Sequence, residues 1–439
     1  MAEAPAGFRA GVASVVITPE SPMWAAGYGS RDRPTAEREH DLFAKALVIE
    51  DAHGERLLFV TSDLLGFSKS VADSLVERIM QKHRFERRQV CLTSSHTHSG
   101  PVLRDALVDI YLMRKEDWSP VESYSDRLNR LLLELVDKAV ADVKPATLAH
   151  GNGTCGFAMN RRENSEGEIF KQDQLIAGAV VKGPVDHDVP VLRVSAPDGA
   201  LRAVLFGYAC HCTTMAYYKW CGDYAGFAQA AFEAAHPGAT GLFFAGCGGD
   251  INPMPRRKIE LCRDYGEQLA GAVGDVLDGD MTLVTGRLQT RWRMIDLPYD
   301  KLPTREELEA EAKTGGRYEK NRAERFLAQL DRGEPLSPTY PYPLQVIQFG
   351  EQLTAVVMGG EVVVDYSLRL KRELGEDKTW VVAYANDVMA YIPSLRVLRE
   401  GGYEGATSMA VYGLPALWSP TVEETLVEAI HELVTDVRK

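Results

Sequence analysis

The sequence predicts an α/β protein, a single large domain with mixed β-sheets flanked by helices, and three observations carry that prediction. Twice a short apolar strand runs into a polar loop and then a helix: residues 203–209 followed by 225–235, and 240–245 followed by 259–277. Such alternation is what layered α/β architectures need. Nearer the N-terminus, strand-like runs give way to the helical spacing of Val71, Leu75 and Ile79. No internal repeat, low-complexity tract or linker breaks the chain, so residues 1–439 are expected to form one unit.

In order, residues 12–17 read as a strand ending at Thr18-Pro19, and 44–50 and 56–61 flank the turn 51–55 as a hairpin. The helix at 71–83 leads to a strand at 88–92, which delivers the segment Ser94-Ser95-His96-Thr97-His98-Ser99-Gly100-Pro101. A long amphipathic helix over 124–143 gathers Leu128, Leu131, Leu132, Leu135, Val136 and Val140 on one side. Residues 147–193, with several glycine and polar clusters, read as mostly loop. After the two strand–loop–helix units, 304–332 is a charged, helix-prone insertion that ends at Gly333 and a proline-rich turn. It is expected to be a solvated helical hairpin or a lid over a site. Strands resume at 344–349, 353–358 and 380–385, and Ser419-Pro420 opens a final helix to about 437.

Composition narrows the function. Of 439 residues, 45% are hydrophobic and 25% charged, enough for a sizeable core. A net charge of −13 argues against nucleic acid or an anionic membrane as partner. No apolar run approaches the roughly 18 residues of a membrane span. The N-terminal residues lack the charged-then-apolar pattern of a secretory signal. Seven cysteines without a CxxC pair read as free thiols, which makes a cytoplasmic location the expectation.

The chemistry-bearing residues sit where strands run out. His96 and His98 are two apart, so extended backbone would turn both imidazoles to one side. Neutral imidazole is the commonest metal ligand, and strand ends are where α/β proteins place chemistry. His211 occupies a similar place in Cys210-His211-Cys212, with the two cysteines alternating to the opposite face as small apolar packing. Glu361, after Gly359-Gly360, is equally a site carboxylate or a helix-start charge. The run from Gly246 to Pro253 lacks the Gly-Lys-Ser/Thr of a phosphate-binding loop and reads as a tight turn, either against a ligand or purely structural. Tyr391 and Tyr403 bracket a loop of mixed polarity.

In this order, these segments resemble the catalytic domain of the neutral (non-lysosomal) ceramidases and their bacterial relatives. The likeness rests on Ile17-Thr18-Pro19, His40-Asp41-Leu42-Phe43-Ala44, His96-Thr97-His98-Ser99-Gly100-Pro101 and His211 with Thr213-Thr214-Met215. Gly222-Asp223-Tyr224-Ala225-Gly226, Gly249-Asp250 with Pro253, Gly360-Glu361 and Tyr403-Glu404-Gly405-Ala406 complete it. The resemblance implies a zinc ion held by His96, His211, Glu361 and Tyr391, a nitrogen and oxygen set suited to a hydrolytic site. It places His98 beside the metal-bound water or the substrate carbonyl, Tyr403 toward the scissile group, and Arg161 as a cation for the oxyanion; a reference pKa near neutrality makes His98 the expected general acid/base. Asn252 stands where that family carries a serine, so it can hydrogen-bond but cannot form an acyl-enzyme. The family's immunoglobulin-like C-terminal domain has no counterpart after the last helix, so a secreted ceramide-cleaving enzyme is not expected.

The expectation is a zinc-dependent hydrolase that uses a metal-activated water on a small-molecule substrate, with an N-acyl amide as the bond. Two alternatives accompany it: a zinc hydrolase of a soluble ester, lactone or sugar derivative, and a non-catalytic metal- or ligand-binding protein on the same fold. Substrate identity and oligomeric state are not readable from the chain.

Overall fold

Near-continuous apolar runs, buried on both faces, make Phe43–Glu50 and Arg56–Ser62 interior strands of a larger curved sheet, and the computed structural model, which describes residues 7–439, shows how the rest is built around them. The sheet runs Thr240–Ala245, Leu201–Tyr208, Asp188–Ser195, Lys144–Thr154, Phe8–Val16, Phe43–Glu50, Arg56–Ser62 and Val90–Ser94, with the short Thr282–Leu283 paired beside Lys144–Thr154. Its two halves follow one recipe. Phe8–Val16, Phe43–Glu50 and Arg56–Ser62 pair antiparallel, then the helix Lys69–His83 crosses over to Val90–Ser94, parallel to Arg56–Ser62. Lys144–Thr154, Asp188–Ser195 and Leu201–Tyr208 repeat that meander, and the helix Asp223–Ala235 crosses over to the parallel Thr240–Ala245. A long helix closes each half, Trp118–Ala141 in the first and Ile259–Asp278 in the second. The halves join antiparallel through three residue pairs, Phe8–Ala10 against Lys144–Ala146. The sequence shows no repeat, yet the topology has one.

The outer face of each half is covered by its own helices: Val71, Leu75, Leu128 and Leu132 pack on the first, Phe232, Leu269 and Val273 on the second. The other face buries Leu57, Phe59, Leu148, Leu192, Leu205 and Phe244 against a second, four-stranded sheet of Leu288–Pro298, Thr339–Phe349, Leu353–Met358 and Thr379–Val382. Helices Val364–Leu374 and Val422–Val437 cover the far side of that sheet through Leu370, Leu426 and Ile430. The large sheet curls so far that its two edge strands approach, and the backbone after Thr379–Val382 bridges them. Ala383 N–H donates to the Ala245 carbonyl at 2.9 Å, and Asn386 N–H to the Leu92 carbonyl at 2.8 Å. The loops that carry the candidate chemistry leave these edges.

Three sequence expectations need correction. The stretch 147–193 is not mostly loop, since it supplies two central strands, Lys144–Thr154 and Asp188–Ser195. Leu288–Pro298 is a strand that the reading passed over, and the proline-rich segment after Gly333 is the start of its partner, Thr339–Phe349. Pro341 and Pro343 fit there because that part of the strand pairs on one side only. The strand expected at 88–92 begins two residues later, after a single 3₁₀ turn at Arg87–Gln89.

The insertion is the expected helical hairpin, Arg305–Thr314 and Arg317–Asp331, opened by a capping box between Thr304 and Glu307. It is tied to the body. Asn321 Nδ2 donates to the Asp109 carbonyl at 2.8 Å, Arg325 bonds the Asp109 carboxylate, and Arg317 donates to the carbonyls of Gly29 and Ile110.

Close packing sets one sharp sensitivity. A Cβ on Gly11 would lie 2.1 Å from the Ala139 carbonyl oxygen and 2.8 Å from Val143 N, where the first strand crosses the helix Trp118–Ala141. Gly11→Ala therefore costs about 3 kcal/mol, the upper range for overpacking against backbone. It shows as a lower denaturant midpoint with an unchanged slope.

Candidate metal centre

His96 lies two residues past the end of Val90–Ser94, at the edge of the first half. Its φ is 61°, so the chain is not extended there. The two imidazoles of His96 and His98 do meet, with Nε2 atoms 3.2 Å apart, but a left-handed turn at His96 brings them together instead of strand alternation. His211 leaves the end of Leu201–Tyr208 in the second half. The side-chain donor atoms of His96, His98 and His211 fall within 4.8 Å of one another. Cys210 and Cys212 are buried free thiols in the core, as expected.

Glu361 comes from the other sheet system. It sits in the two-residue strand Glu361–Val362, which pairs parallel with Tyr391–Ile392, ahead of the helix Val364–Leu374. Its Oε2 is 3.0 Å from His96 Nε2 and 2.9 Å from His211 Nε2. The helix-start reading gives way to a buried carboxylate aimed between two imidazoles. Tyr391 OH lies 3.3 Å from His211 Nε2.

The proton positions make this arrangement informative. His96 Nδ1 is 2.6 Å from the Leu65 carbonyl, and His211 Nδ1 is 2.6 Å from the Gly248 carbonyl. A carbonyl only accepts, so each Nδ1 carries the hydrogen and each neutral ring turns a bare Nε2 lone pair inward. Two lone pairs thus face a carboxylate oxygen that can only accept. Glu361 Oε2 correspondingly has no hydrogen bond of good geometry. Burial raises the Glu361 carboxyl, and only positive charge at the centre, on the rings or on an ion between them, holds it well below the usual carboxylate range. Burial, with Arg161 adding to it, pushes His211 down to about 4, and burial with His96 and His211 pushes His98 well below its ordinary value. Acceptors facing acceptors at 2.9–3.3 Å are satisfied by a cation between them. Zinc–nitrogen bonds of about 2.0–2.1 Å in tetrahedral geometry space neighbouring ligand atoms about 3.3 Å apart. The donor set fits a divalent ion.

Arg161 is the hub of the surrounding network. Its Nη2 donates to Tyr391 OH at 2.9 Å and its Nε to Glu404 at 2.7 Å, while Nη1 approaches His211 Nε2 at 3.3 Å and Asn252 Oδ1 at 3.4 Å. Asn252, on the strand Ile251–Pro253, also accepts from Thr213 Oγ1 at 3.2 Å. Tyr403 opens a π-helical turn, packs edge-on to the Tyr391 ring at 5.3 Å, and is 42% exposed, so its hydroxyl reaches the open side. All eight residues singled out from the sequence therefore lie in one neighbourhood.

Two tyrosines escaped the sequence reading. Tyr412 donates its hydroxyl to Glu361 Oε1, the oxygen turned away from the histidines. Tyr384 lays its ring 4.3 Å from that of His96, in the segment that bridges the sheet edges. Neither has a flanking motif to mark it, since Tyr412 lies in a plain apolar run before Gly413. Removing an outer partner of a ligating carboxylate typically costs 10–100-fold in metal affinity, so Tyr412→Phe is expected to weaken binding by about that factor. Titration with a competing chelator checks it.

A curled α/β sheet whose edges meet over a polyhistidine–carboxylate cluster defines the class: a layered α/β protein built around a candidate metal centre. The chain belongs to the neutral/alkaline non-lysosomal ceramidase, N-terminal family, whose model matches residues 8–308. It is 24% identical over 320 residues to the neutral ceramidase of Pseudomonas aeruginosa, covering 68% of this chain and 46% of that protein. To neutral ceramidase B of Dictyostelium discoideum it is 25% identical over 264 residues, 57% of this chain and 34% of that one. The chain thus spans about half or less of the length of these curated relatives. Among solved structures, a ceramidase complexed with C2 superposes with a TM-score of 0.76 at 17% identity, over 99% of this chain and 75% of that one. The neutral ceramidase of Pseudomonas aeruginosa gives 0.74 at 20% identity, over 98% and 74%. The shared fold therefore extends past residue 308, through the segments that hold Glu361, Tyr391 and Tyr403.

Proposed function

We propose that this protein is a zinc-dependent hydrolase acting on an N-acyl amide, with His96, His211, Glu361 and Tyr391 holding the ion. The observation that carries the reading is a carboxylate oxygen of Glu361 that lies within 3.0 Å of the Nε2 atoms of both His96 and His211. Family membership and the resemblance to neutral ceramidases support amide hydrolysis as the reaction class. Bound zinc supplies Lewis acidity at a carbonyl and lowers the pKa of water from 15.7 to about 7.

The chain's own groups do the rest. His98, kept neutral by burial, turns Nε2 to the centre, where it takes a proton and returns it to the leaving nitrogen. Arg161 holds Tyr391 by one arm and Glu404 by another, which fixes its charge beside the centre, where an oxyanion develops. Tyr403 offers a hydroxyl donor from the open side. Asn252 can position Arg161 and substrate but offers no nucleophile.

The 3.2 Å approach of His98 to His96 favours a second assignment within this reading, with His98 as a third imidazole ligand in place of Tyr391. His98→Ala separates the two: retention of a full equivalent of zinc at lost turnover makes His98 the proton carrier, and loss of the ion makes it a ligand. Elemental analysis of zinc-reconstituted protein, with an assay on N-acyl amides, esters, lactones and glycosides, tests the whole. Absence of a stoichiometric ion overturns the metal reading. A tightly held ion with no turnover points to a binding protein on the same fold.

A further inference from the structure

A pocket of about 590 Å³ opens beside the centre, and its lining is unlike that expected for a lipid. Of the residues around it only Met254 and Gly402 lack a polar side-chain atom. Small-molecule sites are usually lined mostly by apolar and aromatic groups, and a site for long acyl chains needs such a wall throughout. The pocket reaches the centre through Arg161 and Asn252, which belong to both.

Three of its four glutamates are already committed, and the fourth, Glu163, is exposed to solvent. Glu404 is shared by Arg161 and Arg162, and Glu400 by Arg162 and Arg396. Glu166 binds Arg256 through Nε and lies 3.4 Å from Nε of Arg257. Among the described residues, the terminal Nη groups of Arg256 and Arg257 have no hydrogen-bond partner, so the two forks are braced from behind with their outer donors free. Arg257 stands in a left-handed conformation, φ 85°, held by its N–H to the Thr214 carbonyl at 2.7 Å.

We propose that the substrate of this centre is a small water-soluble N-acyl compound bearing a carboxylate, an N-acyl amino acid in class, with Arg256 and Arg257 as the carboxylate clamp. Paired guanidinium forks suit the two oxygens of a carboxylate, and the scarcity of apolar side chains in the rest of the pocket disfavours a sphingoid chain. This specificity rests on the hydrolase reading for its chemistry but not for its binding step.

The test therefore reads binding first. Zinc-reconstituted protein is titrated calorimetrically with N-acetylglycine, N-acetyl-L-serine and N-acetyl-L-glutamate, each beside its α-carboxamide. The acids are expected to bind roughly 10–100-fold tighter than the amides, the range for charge-assisted hydrogen bonds. Arg256→Gln and Arg257→Gln bring the acids down to the level of their amides, and Arg257→Lys recovers part of the difference. Equal affinity of acid and amide overturns the clamp, as does an acid preference that survives both glutamine variants. So does hydrolysis of micellar N-acylsphingosine in preference to every N-acetyl amino acid. If the acids bind as expected but none is cleaved, the hydrolase reading fails and the clamp stands.

Discussion

Glu361→Gln is expected to lose the ion and at least about 10³-fold in turnover together, the largest effect of any single change here. Glutamine keeps the shape of the side chain and the hydrogen bond from Tyr412, and removes the one negative charge facing His96 and His211. A divalent ion between neutral imidazoles then lacks its anionic ligand. The metal-free variant has a second, opposite signature. Its amide N–H₂ can donate to an imidazole Nε2, where the carboxylate could only confront it. Metal-free Glu361→Gln therefore melts no lower than metal-free wild type, while metal-loaded wild type melts above both. Elemental analysis, a turnover assay and melting curves in chelator settle it, and a variant that keeps a full equivalent of zinc removes Glu361 from the ligand set.

Gly27→Ala is expected to cost about 10²-fold in turnover without touching any charged group. Gly27 has a φ of 95°, a region that L side chains avoid, and a Cβ there would lie 2.4 Å from His98 Nδ1 and 2.6 Å from its Cγ. The imidazole must swing away, which takes Nε2 from its place beside His96. With His98 as proton carrier, the variant keeps zinc and loses kcat. Should zinc leave with the activity, the three-imidazole assignment gains instead. Wild-type turnover in this variant would show that the position of His98 does not matter to the reaction.

Much of the fold was legible because it follows apolar spacing. The helices at 69–83, 118–141, 223–235, 259–278 and 422–437 and the hairpin at 43–62 lie close to where periodicity puts them. The failure at 147–193 has a specific cause. Gly151 and Gly153 read as loop formers, but a Cβ at either would lie 2.8 Å from Val276, and at Gly153 also 3.0 Å from the Ala272 carbonyl. They are strand glycines that let the helix Ile259–Asp278 press onto the sheet, and packing across 120 residues leaves no local trace. The site was legible as a list of residues and illegible as geometry. His96 and His98 meet through a left-handed turn that no spacing rule anticipates, and the roles of Tyr412 and Tyr384 depend on a backbone segment that spans the sheet edges. Arg256 and Arg257 carry no local signal of a role, because the carboxylate that braces them, Glu166, is about ninety residues away.

The doubled meander has a mechanical consequence. Each half carries one of the two histidines that flank Glu361 and the carbonyl that steers it, Leu65 for His96 and Gly248 for His211, and among the described residues three residue pairs stitch the halves into one sheet. An ion gripped by both rings would act as a rivet across that seam. Occupancy would then be linked to resistance against the two lobes parting, and stripping the cation would loosen the molecule along its internal dyad before either lobe lost its own core.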